Sequence, residues 1–133
     1  MVYLFIGQDS PAKEIALKRI KEESFPQGLE QFNFDLLYAE ELYLKSIQER
    51  LLCMPVKSHK RVLVIKNSGE LRKEVEDFIV EWSKEQRQDL TLVLDIDQQS
   101  RKDQFIRNMN KYAKVVRFKE TVPLNTFILS RQI

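Results

Sequence analysis

One cysteine in 133 residues, Cys53, excludes an intrachain disulfide and suits a reducing compartment. Long apolar runs are missing too: nothing approaches the roughly 18 to 20 residues of a membrane-spanning helix, and Val2 to Ile6 is too short for a signal-peptide core. The cytoplasm is therefore the expected compartment, with no membrane partner. A large excess of one charge sign is missing as well. Twenty-two basic against twenty acidic side chains leave a formal charge of +2, too little to argue nucleic-acid binding from global electrostatics. Repeats, low-complexity tracts and Gly/Ser linkers are absent. What remains, 43% hydrophobic and 32% charged, is the composition of one folded domain whose length leaves no room for two cores.

A second absence lies in the loop after the first strand. Val2 to Ile6 read as a short buried strand, Gly7 ends it, and Pro11 opens a helix with Ala12, Ile15, Ala16 and Ile20 on one face. This is the frame of a phosphate-binding loop, GxxxxGK[ST]. Such a loop needs a second glycine so that backbone N–H groups wrap the phosphates, a lysine for their charge, and a hydroxyl for magnesium. Here Gly7 is followed by Ala12, Lys13 and Glu14 at those positions. The lysine is present, the glycine and hydroxyl are not, and Glu14 adds a negative charge. The expectation is a nucleotide-binding architecture that binds no nucleotide and needs no cofactor or metal.

Strand-like and helix-like segments then alternate. Phe32, Phe34 and Leu36 alternate with Gln31, Asn33 and Asp35, predicting a strand near a sheet edge. Ala39 to Leu52 reads as an amphipathic helix with apolar residues at 39, 43, 44, 47 and 51. Arg61 to Lys66 and Leu90 to Leu94 are apolar, β-branched runs that predict strands covered on both faces. Between them Leu71, Val75, Phe78, Ile79 and Trp82 form a helical stripe; Phe105, Ile106, Met109 and Tyr112 form another before a last strand at Val115 to Phe118. The alternation predicts βαβ units in a three-layer α/β domain of about five mostly parallel strands, with Leu63, Val64, Leu92 and Leu94 buried and Trp82 against the sheet. Val122 to Ile133 begins like a helix and stops, so the chain is expected to be the front module of a longer protein.

The order VYLFIGQD, FNFD, LLCMPVKSHKRVLVIKN, LTLVLDID and KVVRFK resembles the N-terminal domain of the delta subunit of bacterial DNA polymerase III, the clamp-loader subunit that binds and opens the sliding clamp. The run from Pro55 to Ile65 carries most of that resemblance. It implies an AAA+-like, P-loop NTPase-like fold over residues 1–120 with a degenerate phosphate loop at Gly7 and Lys13, and the start of a connecting helix over 121–133. It implies binding and opening of the beta clamp without ATP hydrolysis by this domain, beside gamma/tau and delta prime subunits, with DNA contacted only indirectly. The family's hydrophobic wedge corresponds to Pro55 and Val56, with Leu51, Leu52 and Met54 adjacent. Many members carry a bulky aromatic pair after the proline, where this chain has Val56 and Lys57; the smaller wedge forgoes about 1 to 3 kcal/mol at roughly 25 cal/mol per Å². The alternatives are a nucleotide-binding ATPase domain or another α/β interaction module. A phosphoacceptor signalling domain fits less well, since only Asp9 follows the first strand.

Other residues have plainer expected roles. Leu51, Leu52, Met54 and Val56 also fit a core closing a helix onto a strand. Cys53 beside His59 lacks the third group of a catalytic set and is expected as a small buried hydrophobe, with His59 in a solvated turn. Lys57 to Arg61 reads as a solvated basic turn guarding a strand start. Asp95 and Asp97 stand where α/β enzymes hold magnesium, but are expected to cap the next helix. Lys13 is expected on the helix surface.

Overall fold

The computed structural model describes residues 1–98 and 102–118. Five strands form one parallel sheet: β1 (Val2–Gly7), β2 (Phe34–Tyr38), β3 (Arg61–Lys66), β4 (Leu90–Ile96) and β5 (Lys114–Phe118), in the spatial order β2-β3-β4-β1-β5. The helices are α1 (Ser10–Ser24), α2 (Glu30–Asn33), α3 (Leu44–Leu52), α4 (Lys73–Ser83) and α5 (Asp103–Met109), with short 3-10 turns at 27–29, 39–41 and 68–70. The expected three-layer α/β domain is what the chain forms.

β3 and β4 lie inside the sheet, so both faces of each must be apolar, and Leu63, Val64, Leu92 and Leu94 are all buried. The two faces are covered unequally. Leu17 and Ile20 of α1 pack with Phe25 on Phe5, Val62, Val64 and Val93. On the opposite face Ile47 and Leu51 of α3, Val75, Ile79 and Trp82 of α4, and Phe105, Ile106 and Met109 of α5 pack on Leu4, Leu63, Leu92 and Leu94. That division follows from the topology. The chain leaves β1 in one direction through α1 to reach β2, then returns through α3, α4 and α5, and right-handed crossovers put the two directions on opposite faces.

Three expected elements differ in detail. α1 turns Lys13, Leu17, Ile20 and Ser24 inward and leaves Ile15 exposed at 67%, so its buried face is one residue away from the apolar stripe Ala12, Ile15, Ala16, Ile20. Lys13 turns inward because its Nζ pairs with Asp95 Oδ1 at 2.5 Å. The edge strand starts only at Phe34, because residues 30–33 are helical; Asn33 is buried while Phe32 and Leu36 are exposed, reversing the expected alternation. Residues 39–52 are not one helix: a 3-10 turn at Ala39–Glu41 gives way to extended Leu42 and Tyr43, and α3 begins at Leu44, where the Tyr43 N–H donates to Ser46 Oγ at 2.9 Å. The segment 121–133, read as a connecting helix, lies outside the described residues.

Candidate functional site

In an open parallel sheet, ligands bind beyond the carboxyl ends of the strands where connections diverge. Here that crevice lies between β1, which connects toward β2, and β4, which connects toward β5. Its first wall is the turn after β1. Asp9 caps α1, accepting the Ala12 N–H at 3.1 Å, and the Lys13 N–H already donates to Asp9 O at 3.0 Å. Helix α1 therefore starts at Ser10, and only Gln8 and Asp9 separate it from β1.

Gly7 has a different task from the one its motif position implied. It is in register with Phe118 of β5 at φ +131°, and a Cβ there would stand 1.8 Å from Phe118 O. The glycine permits close approach of two backbones.

Lys13 is buried, correcting the expectation of a surface residue. Its Nζ lies 2.5 Å from Asp95 Oδ1 and 3.8 Å from Asp97 Oδ1. Asp95 also accepts from Lys66 Nζ at 3.1 Å, and Lys66 reaches Glu14 at 3.6 Å. Burial alone would lower Lys66, but the hydrogen bond and charge of Asp95, then Glu14, outweigh it and hold its pKa above the usual lysine value. Asp95 is thus an ion-pair centre, not the helix cap it was expected to be, and α5 has no side-chain cap from its preceding residue, Lys102. Lys13, at the lysine position of the phosphate-loop pattern, is thus paired with an internal carboxylate. A cleft of about 280 Å³ above it is lined by Gln8, Ser10, Asp97 and Gln98, and a neighbouring one of about 350 Å³ by Glu40, Asn67, Gly69, Glu70, Asp97 and Gln98. Every charged group on those walls is acidic. Among the described residues no group of acidic, histidine and cysteine side chains is arranged to hold a metal.

The opposite end of the sheet carries apolar surface. Leu52, the last residue of α3, is 73% exposed, and in the irregular turn that follows before β3 Met54 is 65% and Val56 42% exposed. Pro55 is half-buried, and Cys53 is exposed, not the buried hydrophobe expected. Leu51, grouped with these residues by sequence, is buried in the core beneath α3 and offers no surface. Other contacts fix the turn. Arg87 Nη1 donates to Leu51 O at 2.8 Å, Asn33 bonds both backbone groups of Val56, and Ser58 Oγ donates to Ser24 O at 2.9 Å. His59 and Lys57 are exposed as expected, whereas Arg61 is buried, pairing with the Asp35 carboxylate and donating to Phe32 O at 2.8 Å. The basic cluster is therefore partly structural.

Sequence reasoning missed Asn33, the Lys13–Asp95 pair and the Arg61–Asp35 pair. Asp95 carried a usable signal: a carboxylate inside the run Leu92-Val93-Leu94-Asp95-Ile96 must find a cation if that run is a buried strand.

Neither protein-family profiles nor curated protein sequences match this chain. Solved structures do. The DNA clamp loader delta protein of Bacillus subtilis superposes with a TM-score of 0.76 at 19% identity, over 97% of this chain and 41% of that one. A DNA polymerase III gamma subunit-related protein of Thermotoga maritima gives a TM-score of 0.61 at 13% identity, over 98% of this chain and 45% of that one. This chain thus shares the fold of clamp-loader domains and spans less than half the length of either protein.

Proposed function

We propose that this chain is the first, AAA+-like domain of a clamp-loader delta subunit, which binds the beta sliding clamp of a bacterial DNA polymerase III through Leu52, Met54, Pro55 and Val56 and hydrolyses no ATP itself. The observation that carries the reading is the exposure of Leu52 at the end of α3 and of Met54 and Val56 on the turn after it, a turn held at several points. A loop that merely closed a core would turn these side chains inward; a wedge must keep them in solvent until a partner pocket covers them. The shared fold supports the assignment, as does the resemblance of the Pro55 to Ile65 run. Opening of the clamp interface and assembly with gamma/tau and delta prime subunits belong to the same proposal.

Loss of nucleotide binding fits this role. Helix α1 begins too early to leave a phosphate cradle, Lys13 is held by Asp95, and the clefts above are acidic. The phosphate loop is in this reading degenerate, and the domain acts as a binding element.

The test is a binding titration of the chain against the cognate beta clamp, compared with a Met54→Ala, Val56→Ala variant. The expected outcome is at least a tenfold loss of affinity, about 1.4 kcal/mol, with the thermal midpoint nearly unchanged because both side chains are exposed. Equal binding by the two proteins would move the contact elsewhere.

A further inference from the structure

The turn from Cys53 to Lys60 has no regular structure, yet the backbone of Val56 is held as if a neighbouring strand were beside it. Asn33, wholly buried at the end of α2, supplies the pairing. Its Oδ1 accepts the Val56 N–H at 2.7 Å, and its Nδ2 donates to Val56 O at 2.8 Å and to Leu29 O at 3.1 Å. A side-chain amide has both an acceptor and two donors; aspartate has only acceptors when ionised and leucine has neither. A buried asparagine is tolerated because these bonds are made. Immediately after Val56 the chain turns through Lys57 at φ +51°, a left-handed conformation uncommon for a residue with a Cβ, and Ser58 fastens the far side to Ser24.

We infer that Asn33 is a positioning residue for the partner-binding surface: it fixes the backbone of Val56 and so presents Met54 and Val56 in one geometry before any partner arrives. The inference rests on the clamp-binding reading. Asn33 itself touches no partner, being buried; it acts by removing the cost of ordering the turn on binding, which is the general advantage of preorganisation. Its effect on binding must therefore pass through Met54 and Val56.

Two readouts test this. The first needs no partner. Hydrogen exchange on the parent protein is expected to find the Val56 amide protected, and Asn33→Ala to speed its exchange at least tenfold while Leu63 and Val64 amides in β3 keep their protection. The second uses the beta clamp. Asn33→Ala is expected to weaken binding at least fivefold in the parent and by less than twofold in the Met54→Ala, Val56→Ala background, a non-additivity that a general loss of stability does not produce. If Asn33→Ala fails to fold, Asn33→Ser, which is uncharged, can still donate to the Leu29 carbonyl one helical turn back and is too short to hold both backbone groups of Val56, carries the same cycle. An unprotected Val56 amide in the parent, unchanged clamp affinity in the Asn33 variant, or the same loss in both backgrounds overturns the inference. Failure of the parent to bind the clamp removes the clamp reading, and the exchange of Val56 then decides alone whether Asn33 anchors the turn.

Discussion

Gly7 matches the first position of a phosphate-loop pattern, but a methyl group there would collide with Phe118 O at 1.8 Å and would occupy φ +131°. Gly7→Ala is expected to cost about 2 to 5 kcal/mol, combining backbone strain with overpacking, and a urea midpoint near the parent value would contradict that account. Lys13 is the second case. Removing it by Lys13→Met leaves Asp95 buried with only Lys66, and about 2 to 4 kcal/mol of stability is expected to go, against about 3 to 5 for a fully orphaned charge. Lys13→Met with Asp95→Leu is expected to recover most of the loss, since replacing a buried pair by apolar groups is often neutral. Lys66 adds a pH signature. Its pKa is raised in the folded protein, so its contribution is complete below the ordinary lysine value of 10.5 and disappears as pH climbs through the higher folded value. Chemical denaturation between pH 9 and a pH about one unit above the ordinary lysine value is expected to reveal a loss of stability that Lys66→Met reduces.

At the scale of elements, legibility followed how completely burial obeyed hydrophobicity. β3 and β4 were plain in the sequence because central parallel strands must be apolar on both sides, and α4 because Val75, Ile79 and Trp82 all face one layer. α1 was placed correctly but rotated wrongly. Pairing with Asp95 draws Lys13 inside, and Leu17 follows it, while Ile15 remains in solvent. The same rule misplaced the start of β2, since Asn33 is buried by hydrogen bonds and Phe32 is exposed. Periodicity registers apolar side chains and is blind to polar ones whose partners lie far along the chain. An element-level prediction follows for α1. Because Asp9 starts the helix so near β1, restoring the motif by Ala12→Gly and Glu14→Thr is expected to create no ATP site. Calorimetry with ATP and magnesium is expected to give no saturable heat; micromolar binding by that variant would mean that composition, not loop length, had disabled the site.

At the scale of the molecule, the two ends of the sheet have opposite characters. The carboxyl end, where α/β domains bind nucleotides, is occupied by an internal charge network under acidic clefts. The other end displays apolar side chains on an anchored turn. The sequence resemblance pointed to that turn, yet it grouped Leu51 with Leu52. Only the packing of α3 separates them, Leu51 into the core and Leu52 into solvent. On the proposed reading this exposed turn enters the sliding clamp. The three methionines provide the most direct measurement: Met54 is 65% exposed on the turn, Met109 at the end of α5 is wholly buried, and Met1 precedes β1. In a protein carrying ¹³C-labelled methionine methyl groups, addition of the beta clamp is expected to shift or broaden the Met54 signal while Met109 stays in place. Binding of the clamp with the Met54 signal unchanged, or no binding at all, would contradict the account.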